Sequence, residues 1–150
     1  YAAVTNELVA EKFSAALRAG LKPLLCIGET EVERESGSAA EIVTAQLDSV
    51  VSYCGTDALR QGAIAYEPVW AIGTGKTATP AMAGEMHGLI RDELRQRSAE
   101  LAEQVPLLYG GSVKSDNATA LFAETDIDGG LVGGASLTAV ELVAIARCLA

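Results

Sequence analysis

The segment from Ala65 to Pro80, AYEPVWAIGTGKTATP, limits what this chain can fold into more than any other. Ala63-Ile64-Ala65-Tyr66 is a short apolar run after the turn signal Gln61-Gly62, the pattern of a buried strand. Glu67 is the first charge after it and stands where the strand must end, because Pro68 has no N–H to continue a ladder. The spacing predicts a helix from Pro80, with Thr79 as N-cap and proline at the first helical position. About a dozen loop residues lie between, where strand-to-helix loops usually have roughly two to six. Trp70 and Ile72 argue against disorder there, so the loop reads as functional. A carboxylate at a strand's C-terminal end, followed by an apolar loop containing glycines, reads as a base under a lid.

The rest of the chain repeats the strand-helix unit. A helix is expected from about Asn6 to Ala19, with Val9, Phe13, Ala16 and Leu17 on one face and Gly20 as its stop. Lys22–Ile27 reads as a buried strand, and the acidic run Glu29–Glu35 as a solvated loop. Ser38-Ala39-Ala40-Glu41 has the form of a capping box opening a helix whose Ile42, Val43, Leu47, Val50 and Val51 face inward. The helix from Pro80 carries Met82, Met86, Leu89, Ile90, Leu94 and Leu101 at helical spacing, a core stripe. Val105–Tyr109 and Gly129–Val132 are the last two strands, with a short helix around Asp116–Ala123 between them. Thr138-x-x-Glu141 reads as a second capping box, for a final helix with Val140, Leu142, Val143, Ile145 and Leu149 on its apolar face.

Strands that are apolar throughout, alternating with helices, indicate an α/β chain with a parallel sheet covered on both sides. Four such units suit a doubly wound sheet or part of a (β/α)₈ barrel. Three consecutive strands end in chemically distinctive loops: Glu67 with the lid, Gly110-Gly111-Ser112, and Gly133-Gly134. In a barrel those ends converge on one site, and the last two loops commonly build a phosphate site, so the barrel is preferred.

The net charge of −9 argues against a nucleic-acid or anionic-membrane partner. An anionic small molecule remains compatible, since backbone donors can outweigh global charge locally. The 3 cysteines, Cys26, Cys54 and Cys148, are widely spaced and accompanied by 1 histidine, so no metal-ligand pattern is present and reduced cytosolic thiols are expected. No apolar run is long enough to cross a membrane.

Two phosphate motifs are decoys. Gly75-Lys76-Thr77 resembles the end of a Walker A loop, but the required leading glycine falls on Trp70. Gly73-x-Gly75-x-x-Ala78 matches a loose dinucleotide fingerprint, yet its glycines lie too far from the helix start at Pro80. Gly133-Gly134 before Ala135-Ser136 is a better candidate, because backbone N–H groups there can approach a phosphate unobstructed. Ser112 from the neighbouring strand is a plausible further donor. His87 is expected on the surface of its helix, Cys26 as a packing residue and Glu29 as a hydrogen-bonded support. Lys76 and Lys114 are expected to face solvent.

These residues carry a family resemblance. Ala65–Lys76 resembles the active-site signature of the triosephosphate isomerase family. Leu25–Glu29, Tyr109–Val113 and Gly129–Leu137 resemble further blocks of that family in the same order. The resemblance implies a cytoplasmic isomerase of glycolysis and gluconeogenesis that interconverts D-glyceraldehyde 3-phosphate and dihydroxyacetone phosphate, with no cofactor or metal. It implies Glu67 as the catalytic base, and Gly73, Ser112, Gly133 and Gly134 as phosphate contacts. Such a barrel has about 250 residues. Residues 1–150 are therefore expected to form a partial TIM-barrel domain, its C-terminal half, with strands 1–4 absent. The family's strand-end lysine, its electrophilic histidine and its dimer-forming loop belong to that absent half, so homodimerisation is expected of the complete chain. The alternatives are a non-catalytic sugar-phosphate-binding half-barrel and, less favoured, a sugar-phosphate aldolase, which needs a strand-end lysine that none of these four strands offers.

Overall fold

Helix α1 (Asn6–Arg18) opens on Thr5, whose hydroxyl accepts from the Leu8 N–H, and closes at Gly20 with φ +74°. Glycine adopts that left-handed geometry without the penalty a Cβ brings. Strand β1 (Leu24–Ile27) follows. The computed structural model describes residues 4–72 and 77–149; Gly73, expected in the lid, lies outside the described residues.

After β1 the structure departs from the expected solvated loop. Glu31–Glu35 form a short helix, α2, whose capping box pairs the Thr30 hydroxyl with the Glu33 N–H and the Glu33 carboxylate with the Thr30 N–H. The box expected at Ser38 does not form. Helix α3 (Ala39–Cys54) starts there, but the Ser38 hydroxyl turns back to the Glu33 carbonyl. A capping sequence was present in both places, and the one that formed has an extended N-cap backbone.

A 3₁₀ turn leads into β2 (Ala63–Tyr66), and α4 (Pro80–Arg97) begins as expected, with the Thr79 hydroxyl accepting from Met82 N at 3.2 Å. Such a cap is worth about 1 kcal/mol. The helical stripe reaching Leu101 is split. Ser98 ends α4 and caps a separate helix, α5 (Ala99–Gln104). Then come β3 (Leu107–Tyr109), α6 (Ala118–Phe122), β4 (Gly129–Gly130) and α7 (Ala139–Ala146).

The four strands make one parallel sheet in the order β1-β2-β3-β4. Register aligns Leu25, Ile64 and Leu107 in one row and Ile27, Tyr66 and Tyr109 in another, and all six are buried. They form the core with Phe13, Val43, Leu47, Ile90, Leu94 and Leu121 from the helices. Alternation sends Leu24, Cys26, Ala63, Ala65 and Leu108 to the opposite face, where Leu24 and Cys26 are exposed. A four-stranded parallel sheet with one helical layer and an open inner face is half of a (β/α)₈ barrel.

The second expected capping box is also absent. Thr138 makes no cap bond, and Glu141 instead accepts from Ser115 N at 3.4 Å. Of the expected apolar face of α7, only Ile145 is buried, while Val140, Leu142, Val143 and Leu149 are exposed. The α7 packing that is present runs to the flanking 3₁₀ turns, Gly134–Leu137 and Arg147–Leu149.

His87, expected at the surface, is fully buried. It sits on α4 against Tyr66 and Tyr109, with Nδ1 3.2 Å from the Asp126 carbonyl. One turn later Arg91 donates to the Ala102 and Val105 carbonyls at 2.6 and 2.9 Å and to Asp128 Oδ2 at 2.7 Å. That guanidinium ties the end of α5 to the approach of β4.

Candidate active site

The parallel register continues one residue past the strands. Glu67 N donates to the Ile27 carbonyl at 2.8 Å, and Gly110 N donates to the Tyr66 carbonyl at 2.8 Å. Glu67 therefore stands in a row with Gly28 and Gly110, at the C-terminal ends of three adjacent strands. Both flanking glycines are required by its proximity. A Cβ on Gly28 would lie 1.8 Å from the Glu67 carbonyl oxygen, and one on Gly110 would lie 2.5 Å from Glu67 Cγ. The Glu67 side chain thus packs flat against the Gly110 backbone, on the open face of the sheet.

Below Glu67 on that face lies Cys26. Its thiol is pushed up to about 11, by desolvation first and then by the charge and hydrogen bond of the Glu67 carboxylate. Cys26 is therefore a neutral thiol at physiological pH, able to donate to Glu67 and not to act as a nucleophile. Its place beside Glu67, on the wall of the same cavity, goes beyond the expected packing role of Cys26.

The first turn of the loop after β2 is anchored to Glu29. Val69–Ala71 form a 3₁₀ turn, and Val69 N donates to the Glu29 carbonyl at 3.2 Å. Glu29 is fully buried, and its Oε1 accepts from Trp70 Nε1 at 2.8 Å, Arg34 at 2.9 Å and the Tyr66 hydroxyl at 3.0 Å. Arg34 also stacks over the Trp70 ring, 5.2 Å from its centroid. Burial, followed by the Glu29 charge, raises the Tyr66 phenol, which stays a donor. Glu29 is thus the hydrogen-bonded support that the sequence suggested. Its other oxygen, Oε2, has no hydrogen-bond partner among the described residues.

Across Gly110 from Glu67 opens a cavity of about 630 Å³. Ser112, Gly133 and Gly134 line it together with Gly110, Gly111 and Ile72. Gly133 leads a 3₁₀ turn, Gly134–Leu137, whose first N–H groups have no partner within the turn by geometry. A Cβ at Gly133 or Gly134 would meet nothing within 4 Å among the described residues, so none of these fills the space above the two backbones. Backbone donors at a turn start, a serine and open room suit an anion. Lys114, expected to face solvent, is exposed and lines the same cavity, as does Glu141.

The structure thus brings Ser112, Gly133 and Gly134 to one cavity and places Glu67 on its border through Gly110. Glu67 itself lines a second cavity, of about 220 Å³, with Cys26, Gly28 and Gln46. Sequence reasoning missed Gly28 and Gly110 as the walls of the carboxylate, Trp70 as an anchor of the loop after β2, and the buried pair of tyrosines. Gly28 and Gly110 had a signal: each directly follows a strand, as Glu67 does.

Among the described residues no helix is long and apolar enough to cross a membrane, and no cluster of metal-ligating side chains is found. The family model described as triosephosphate isomerase matches residues 1–149. Triosephosphate isomerase of Xanthomonas campestris pv. campestris (strain 8004) is 53% identical over 146 residues, covering 97% of this chain and 58% of that protein. The Nitrosomonas europaea enzyme is 54% identical over 145 residues, covering 97% and 57%, and that of Stenotrophomonas maltophilia is 52% identical over 146 residues, covering 97% and 58%. The chain spans about 58% of the length of these curated relatives. With the parallel half-barrel and a family match along almost its whole length, the chain belongs to the triosephosphate isomerase family.

Proposed function

We propose that the polypeptide carrying these residues interconverts D-glyceraldehyde 3-phosphate and dihydroxyacetone phosphate through an enediol(ate), in glycolysis and gluconeogenesis. The observation that carries this reading is the juxtaposition of Glu67, wedged between Gly28 and Gly110, with the cavity that begins at Gly110. The Glu67 carboxylate takes a proton from the carbon beside the substrate carbonyl and returns it to the neighbouring carbon. One carbon is oxidised as its neighbour is reduced, so the reaction needs no external electron carrier. The phosphate is held by Ser112 and the backbone of Gly133 and Gly134, with Gly73 of the lid as a further contact. That grip keeps the intermediate from eliminating phosphate before it is reprotonated. Closing the apolar lid over Glu67 shields the reacting carbons from water.

The family resemblance puts the electrophilic histidine and the lysine outside residues 1–150. Consistent with this, His87 is enclosed behind the sheet. The substrate, the homodimeric state and the cytoplasmic location are all proposed for the complete polypeptide. Adding it to dihydroxyacetone phosphate should yield glyceraldehyde 3-phosphate, read in a coupled assay, whereas residues 1–150 alone should show no appreciable turnover. A complete polypeptide without isomerisation would refute the reading, and robust turnover by residues 1–150 would refute the need for a distant electrophile.

A further inference from the structure

His87 is a fully buried polar residue that the proposed reaction does not use. It is fully enclosed, and its ring lies edge to face with Tyr66, at 5.8 Å between centroids and 90° between planes. Tyr109 is its second ring neighbour, 6.4 Å away at 44°. Nδ1 stands 3.2 Å from the Asp126 carbonyl, which can only accept, so the proton sits on Nδ1. Nε2 then presents a bare lone pair, and it has no partner among the described residues. Leaving a buried acceptor unpaired is unfavourable, which means that the site uses the ring's shape and one nitrogen only.

The two rings it contacts belong to the residues just before the row that holds Glu67. Tyr66 precedes Glu67, Tyr109 precedes Gly110, and the two tyrosines are register partners in adjacent strands. Glu67 Cγ rests on Gly110 with no room for even a methyl group between. The lateral setting of Tyr66 against Tyr109 therefore sets the setting of Glu67 against Gly110. We propose that His87 is a positioning residue for Glu67, its ring acting as a spacer that fixes the C-terminal ends of β2 and β3 relative to each other. Burial holds the imidazole down at about 4, with the nearby Arg91 charge working in the same direction and Asp126 and Asp128 opposing it. A neutral ring is what a spacer against two phenols requires.

This inference rests on the isomerase reading, so the test is run on the complete polypeptide with wild type as reference. His87→Phe keeps a ring against the tyrosines and discards both nitrogens. His87→Asn keeps a donor near the Nδ1 position and discards the ring. The expected pattern is crossed. His87→Phe should lower the melting temperature while kcat stays within about twofold of wild type. His87→Asn should lower kcat roughly tenfold, as expected when a base is displaced by part of an ångström, with KM little changed. Equal kcat in the two variants, whether both retained or both reduced, would overturn the spacer role, because a merely structural histidine would move stability alone or both rates alike. His87→Phe and His87→Leu have no polar group to bury; if His87→Asn does not fold, His87→Leu takes its place as the variant without a ring, a roughly tenfold loss of kcat in it beside native kcat in His87→Phe upholds the proposal, and equal kcat in the two overturns it. A wild-type polypeptide without isomerase activity would overturn the reading and this inference with it.

Discussion

Shortening Glu67 to Asp in the complete polypeptide is expected to lower kcat by roughly 10²- to 10³-fold with KM changed only a few-fold. The carboxylate is set by the Tyr66–Glu67 peptide, whose Glu67 N–H donates to the Ile27 carbonyl and whose Tyr66 carbonyl accepts from the Gly110 N–H. Removing one methylene withdraws the oxygens from the cavity border while leaving Ser112, Gly133 and Gly134 in place. Proton abstraction is therefore lost and the phosphate grip is kept. Steady-state kinetics check the split. A large rise in KM with kcat preserved would assign Glu67 to binding and contradict its role as base.

The second large effect is expected from a residue with no side chain. Gly28→Ala would place a methyl group 1.8 Å from the Glu67 carbonyl oxygen and 2.7 Å from its carbon. Gly28 cannot easily yield, because Gln46 clamps it on both sides, accepting from its N–H at 2.8 Å and donating to its carbonyl at 3.0 Å. Glu67 is then the part that moves. An overpacked core site costs about 1–3 kcal/mol, and a displacement of about 1 Å at a catalytic group costs on the order of 10²-fold in rate. The variant should be measurably less stable and at least about a hundredfold slower. Native kcat in a folded Gly28→Ala protein would show that Glu67 does not need this wall.

The positions of the strands were legible because their apolar runs are short, bounded by Gly and Pro, and too brief for helices. The Thr79-Pro80 helix start was legible for the same local reason. Capping was not: Ser38-x-x-Glu41 and Thr138-x-x-Glu141 have the letters of a box, but tertiary partners at the Glu33 carbonyl and Ser115 N–H took the side chains. His87 misled because periodicity reports which face of a helix is apolar and cannot tell that two tyrosines will enclose a polar ring there. The face of α7 misled in the opposite sense, since an apolar stripe predicts a partner and the described residues hold none for most of it. At the site, Glu67, Ser112, Gly133 and Gly134 stood out as loop chemistry at strand ends. Gly110 stood out as part of the same loop as Ser112, but the part Gly28 and Gly110 play as walls of Glu67 did not, because it comes from the register between strands.

The central claim is that Glu67 moves a carbon-bound proton. It is tested most directly by incubating the complete polypeptide with dihydroxyacetone phosphate in D₂O and following deuterium entry at the carbon beside the carbonyl by proton NMR. Wild type should incorporate deuterium at a rate that scales with enzyme concentration, and Glu67→Gln should reduce that rate by roughly 10²-fold or more. Undiminished deuterium exchange in Glu67→Gln would contradict the account, because the proton would then be leaving to a base other than Glu67.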